Sequence, residues 1–306
     1  MNPVKAKYAF VDLLKLEAVI PFLIALDQNQ ASRLDRVATV ASHLRAPLVT
    51  SLLAFLQVAA AADPLDIVRR AARVDDSNFQ IARRYTFVQR VEERSARSTK
   101  SETYDILFLY GAFYRRLIAR NDQPLSPQEE KKQQEKMDRQ ADKWRRKPPV
   151  REARERERTR AVLRLIPDAY DFRLAGEETL AERSTWVLEA TPKPGYRPPL
   201  PDARYLPKLR GRLWIDKTDY HWVRVQVEVI ETISFGLFLA RIGPGSGMDF
   251  EQIRVNDEVW LPRRILLRAA GRVGLVKKVR SETEITYRDF RKFQTDTDVR
   301  FTEPRP

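Results

Sequence analysis

The chain has 306 residues, 43% of them hydrophobic, which is enough for one large core or two small ones. Its 56 Lys and Arg against 42 Asp and Glu leave a formal charge of +14, a balance that favours nucleic acid, anionic lipid or acidic protein surfaces without choosing among them. There is no cysteine, which excludes disulfides, thiolate metal sites, a Cys nucleophile and a Cys-borne lipid anchor.

Residues 1–42 open with an apolar run between Tyr8 and Leu26. Asp12, Lys15 and Glu17 fall inside it and Pro21 interrupts it, so it reads as a short amphipathic or buried helix and not as a membrane span. Residues 43–62 have a different character. His43-Leu44-Arg45 supplies a basic start, an apolar run of signal-peptide length follows, and Ala59-Ala60-Ala61-Ala62 places small residues before Asp63-Pro64. This is the pattern of a secretory signal. A signal should begin a chain, so the expectation is that the natural start lies downstream of Met1 and that residues 1–42 stand outside the natural protein. A buried Ala/Leu helix and a retained anchor are the other two readings of the segment.

The domain expected at 63–295 begins with a helix over 63–75, where Pro64 sits near the start and apolar residues recur at helical spacing. Three strands follow at 85–94, 102–111 and 112–120, joined by short connections, which favours antiparallel pairing. A charged insertion spans 126–160. Ser126-Pro127 with Glu129 and Glu130 forms a helix start, and the helix is polar almost all round until Pro148-Pro149. Its interleaved acids and bases fit a solvated helix between strands; a basic arm for nucleic acid or anionic lipid is the competing reading. A helix end or short strand leads into 173–178, a strand covers 184–192, and 193–207 is a Pro-rich surface loop.

The last third is the most regular. Residues 210–216 and 221–229 read as paired strands, because Val223, Val225, Val227 and Val229 alternate with Arg224, Gln226 and Glu228. Residues 232–242 form an apolar strand with a break at Gly236. Asn256-Asp257 turns a hairpin between 250–255 and 258–267. Ile285 and Tyr287 then alternate with Glu284 and Arg288 in a final strand, and 296–306 is a tail.

Catalytic chemistry has little to draw on. His43 and His221 are the two histidines. No metalloprotease, nucleophile-elbow or phosphate-loop motif occurs, and Asp216, Asp219, Asp249 and Asp257 fall at turns, where Asp is expected for backbone reasons. The expectation is a non-enzymatic protein without cofactor or metal.

Gly211-Arg212-Leu213-Trp214-Ile215-Asp216 with Val223-Arg224-Val225, then Asn256-Asp257-Glu258-Val259-Trp260-Leu261-Pro262, then Thr286-Tyr287-Arg288-Asp289-Phe290-Arg291-Lys292-Phe293, resemble in order and spacing the LolA/LolB-type lipoprotein-carrier superfamily, in its divergent lipoprotein-sorting form. The resemblance covers roughly 63–295 in layout and the last third in motif. It implies an α+β fold: a strongly curved antiparallel sheet, an unclosed half-barrel, with helices covering the concave face and acyl chains held between. Inward strand positions would line that space: Tyr85, Phe87, Phe108, Tyr110, Trp186, Trp214, Val225, Val227, Phe235, Leu237, Leu267, Ile285 and Tyr287. Each of these residues could equally form plain core under the helices, and a one-residue register error moves a residue to the other face. The implied partners are lipid or lipoprotein acyl chains, a membrane-bound transfer partner and an anionic membrane surface, in a Gram-negative-type periplasm. An envelope sensor or scaffold on the same fold, and a basic nucleic-acid-binding protein, are the alternatives. The charged insertion, the Pro-rich loop and the missing Cys depart from the compact carriers.

Overall fold

The computed structural model describes residues 63–96, 98–147, 149–235, 240–273 and 277–293. The signal-like segment, residues 1–42, the tail and Leu237 lie outside the described residues, as does the side chain of Phe235.

One sheet dominates. Its strands are β1 (Tyr85–Ser95), β2 (Ser98–Leu109), β3 (Ala112–Arg120), β4 (Gln123–Pro124), β5 (Tyr170–Leu180), β6 (Arg183–Pro192), β7 (Leu209–Asp216), β8 (Trp222–Val229), β9 (Ile233–Phe235), β10 (Ala240–Ile242), β11 (Gly247–Val255), β12 (Val259–Val273) and β13 (Lys277–Lys292). The spatial order is β4-β3-β2-β1-β13-β12-β11-β8-β7-β6-β5, with β10 on β12 and β9 on β10. Every pairing is antiparallel. β4 and β5 stand at opposite edges, so the sheet is an unclosed half-barrel. Most connections are tight turns that local chemistry dictates: Asn121-Asp122 and Asn256-Asp257 adopt positive φ, which short Asx side chains tolerate. One pairing links the two ends of the strand succession. β1 joins β13 from Tyr85↔Lys292 to Ser95↔Ser281 and thereby ties the first strand to the last.

The strand expected over 232–242 comes as two short strands, β9 and β10, on either side of residues 236–239, which lie outside the described residues together with the expected break at Gly236; β9 and β10 pair with each other, and β10 pairs with the end of β12. The packing there is close: a Cβ on Gly271 would lie 2.0 Å from the Arg241 carbonyl oxygen, so only glycine fits.

The helices divide between the two faces. α1 (Pro64–Ala82) lies on the inner face against β12 and β5, with Ile67, Val68 and Ala71 buried there. α2 (Pro127–Arg146) is capped as its sequence predicts, by Ser126 with Glu129 in a reciprocal capping box. It is not wholly solvated. Met137 and Trp144, seven residues apart on one side of the helix, are buried, and Trp144 meets Tyr114 of β3 edge-on at 6.2 Å on the outer face. α3 (Val150–Leu163) is a separate helix, and α4 (Ile166–Ala169) leads directly into β5. Val162, Leu165 and Ile166 pack on the inner face. The Pro-rich stretch read as a surface loop also belongs to this cover: its two short 3-10 turns, Pro201–Ala203 and Leu206–Lys208, bury Ala203 and Leu206, and the Tyr170 hydroxyl donates to the Leu206 carbonyl at 2.7 Å.

Candidate functional site: the covered inner face

Alternation gives the sheet two chemically opposed faces. On the inner side one contiguous apolar cluster includes Phe87 and Val91 of β1, Ile106 of β2, Leu188 and Ala190 of β6, Leu213 and Ile215 of β7, Val225 of β8, Phe250 of β11, Ile265 and Leu267 of β12, and Ile285 and Tyr287 of β13. Phe87 sits at its aromatic end, with Tyr287 at 5.6 Å, Phe290 at 6.0 Å and Phe113 at 6.3 Å. A buried polar pair interrupts it: Gln89 donates to the Tyr287 hydroxyl at 3.1 Å, and burial raises the phenol's pKa.

α1 is held over this face at two polar points besides its apolar contacts. Asn78 of α1 donates to the Trp260 carbonyl at 2.8 Å and accepts from the Trp260 N–H at 2.7 Å, completing the backbone pairing that β12 lacks there. Arg70 stacks over Tyr220 at 5.2 Å and pairs with Asp66 at 2.8 Å.

The outer face carries ion pairs. Arg173 meets Glu189 at 2.5 Å and Glu189 meets Arg212 at 3.0 Å. Arg212 and Arg224 flank the Trp214 ring at 5.9 and 5.0 Å. Arg224 pairs with Asp249 at 2.5 Å, Arg264 with Glu284 at 2.6 Å, and Glu284 with Arg94 at 3.3 Å. Arg224 beside Asp249 keeps that carboxyl below its ordinary pKa although burial pushes it the other way. Many of the basic residues that raise the net charge are therefore matched by acids on this face.

The sequence-expected lining residues separate accordingly. Phe87, Val225, Leu267, Ile285 and Tyr287 are buried together in the inner cluster, with Trp186 and Val227 half-buried against it. Trp186 packs on Tyr220 at 5.1 Å. Phe108 is half-buried beside Phe113, 5.0 Å away. Tyr85 belongs to a smaller cluster with Val259 and Leu261, and its hydroxyl donates to Glu258 at 2.5 Å. Two residues stand elsewhere. Trp214 lies on the outer face, because Leu213 and Ile215 take the inner positions of β7; its Nε1 donates to Glu178 at 2.8 Å. Tyr110 is 51% exposed in the β2–β3 turn. The valine row of β8 is broken as well: a register shift opposite Trp214 and Ile215 leaves Val223 buried but outside the inner cluster.

At the β7–β8 turn, Asp216 is fixed as a turn anchor. Arg183 donates to both of its oxygens at 2.5 and 2.8 Å, and the backbone N–H groups of Thr218 and Asp219 donate at 2.8 and 3.0 Å. Burial pushes the Asp216 pKa up, but these donors outweigh it and hold the group ionised. Asp219 in turn accepts from Arg254 at 2.5 Å and from Trp260 Nε1 at 2.9 Å. Among the described residues no cluster of His, Asp and Glu could hold a metal ion.

The residues thus define an α+β half-barrel whose apolar inner face is covered by its own helices and a loop. No protein-family model and no curated protein matches the chain. Solved structures similar to it include a domain attributed to an outer membrane lipoprotein-sorting protein from Vibrio parahaemolyticus (12% identity, 76% of this chain and 95% of that chain, TM-score 0.33). A DUF1329 family protein from Desulfovibrio piger (14%, 79% and 98%, TM-score 0.31) is another. A LolA superfamily protein from Nitrosomonas europaea (10%, 77% and 96%, TM-score 0.32) is a third.

Proposed function

We propose that this protein is a periplasmic, non-enzymatic carrier for the acyl chains of lipids or lipoproteins. The observation that supports this most is the inner face itself: a continuous apolar surface, built by strands from β1 round to β6, covered by separate pieces instead of a second sheet. An apolar face of this extent must be covered by something, and α1 covers it through a few buried side chains and the two polar points at Asn78 and Arg70. Displacing such a cover exposes a slot suited to hydrocarbon. The order of the sequence motifs supports the same reading. The test is the lipid content of protein purified from the periplasm, read by native mass spectrometry and by uptake of acyl probes. Protein that carries no lipid and takes up no acyl ligand would sink the proposal.

A second reading has its own observation. Ile67, Val68 and Ala71 of α1 already occupy the face, so the groove is filled by the chain's own helix. On that basis the protein is an envelope scaffold acting by protein contact. Capture of a membrane partner by protein with an empty groove would favour it.

A further inference from the structure

Tyr110 is the first central residue of the β2–β3 turn, at φ 49°, and Gly111 follows at φ 88°. A left-handed backbone suits Asn, Asp or Gly and is unfavourable for a ring-bearing residue. Two other turns of this chain use Asn-Asp at such positions, Asn121-Asp122 and Asn256-Asp257, and one uses Ala181-Glu182. Tyr220 also has positive φ, but Trp186 packs against its ring at 5.1 Å and Arg70 at 5.2 Å. Tyr110 has no such cover and is 51% exposed. The turn thus presents an aromatic ring to the outside, next to Leu109 and Phe108.

The surroundings of this tip are basic. α2 runs along β3 toward it, as three successive contacts show: Glu129 with Arg120 at 2.8 Å, Gln134 with Arg116 at 3.4 Å, and Trp144 with Tyr114 at 6.2 Å. The helix thus delivers its last turn, with exposed Lys143, Arg145 and Arg146, and the following Lys147, to the tip side. Asp142, paired with Arg145 at 2.8 Å, is the acid in that turn. Arg115, exposed on β3 and stacked over Tyr104 at 4.0 Å, adds a further positive charge.

We propose that the β2–β3 hairpin tip docks the protein on an anionic lipid bilayer. Leu109 and Tyr110 enter the interfacial layer, where an aromatic ring with a polar end is well accommodated, and the end of α2 faces the phosphates. The joint presence of an apolar tip and a basic flank favours a bilayer over an acidic protein, which would use the charges but leave the tip uncovered. This docking is independent of whether the inner face holds acyl chains.

The test is co-sedimentation of the full chain with phosphatidylglycerol–phosphatidylcholine vesicles and with phosphatidylcholine vesicles alone. The parent protein binds the anionic vesicles and releases them as salt is raised. Tyr110→Asn keeps the turn, since Asn-Gly is its preferred sequence, and is expected to weaken binding with no loss in unfolding midpoint. Lys143→Glu, Arg146→Glu and Lys147→Glu together are expected to weaken it by roughly 100-fold, as each basic residue near an anionic surface contributes roughly fivefold. Equal binding by parent and variants, or equal binding to both vesicle types, would overturn the proposal. So would a Tyr110→Asn variant that loses self-association in sedimentation velocity while its vesicle binding is unchanged, which would make the tip a contact between copies.

Discussion

His221 is fully buried just before β8, its ring stacked on Trp260 at 5.3 Å and its Nε2 3.4 Å from Gln252 Oε1. Burial pushes its pKa down from 6.5 to about 3. The folded ring therefore stays neutral through a range in which the unfolded ring takes up a proton. With the folded value depressed, the unfolded state binds more protons below its own pKa, so stability falls as pH falls from about 6.5 toward 3. Between about pH 7 and about pH 5 the unfolded state gains about 2 kcal/mol from this one group. His221→Phe keeps a ring against Trp260 and removes the titration. Urea unfolding of both proteins at the two pH values isolates the effect, because every other group, His43 included, is common to both. The parent should lose about 2 kcal/mol more than the variant on acidification. Parallel losses in the two proteins would refute the reasoning.

Asp216→Ala removes the partner of Arg183 and the acceptor of two turn amides, and should cost about 3 kcal/mol in urea unfolding. Asn78→Ala leaves the backbone N–H and C=O of buried Trp260 without their partner and should cost about 2 kcal/mol; on the carrier reading it should also speed acyl-probe uptake, measured by stopped-flow fluorescence. Brominated fatty acids should quench Trp186, on the inner face, and spare Trp214, on the outer; comparing Trp186→Phe with Trp214→Phe tells the two apart, and equal quenching would place the ligand elsewhere.

Which parts of this molecule were legible in the sequence follows from how local their causes are. The Asn256-Asp257 hairpin, the last strand and the Ser126 cap are fixed by residues within a few positions of one another, and all three stand where the sequence puts them. Period two announced an apolar face for β8 and β13 in the same way. Choosing the lining residues by their place in the strand alternation was less dependable. In β7 Leu213 and Ile215 take the inner positions, and Trp214, the residue expected there, sits outside, between two arginines. Helical periodicity likewise showed that α1 exists, but not that Asn78 near its end bonds a residue 182 positions away.

The sequence by itself determined that an antiparallel sheet with one apolar face exists, because alternation is a property of neighbouring residues. Only the tertiary structure decided what covers that face and where each face begins. The register shifts at Trp214/Ile215 and Leu174/Gly176 reset the parity of their strands, and the sequence carries no separate mark for them. The pairing of β1 with β13, the burial of Leu206 from a Pro-rich loop and the seating of Trp144 on Tyr114 join segments far apart in the chain. An apolar side chain records that it must be buried, and its partner is fixed only once the sheet and its covering helices have come together.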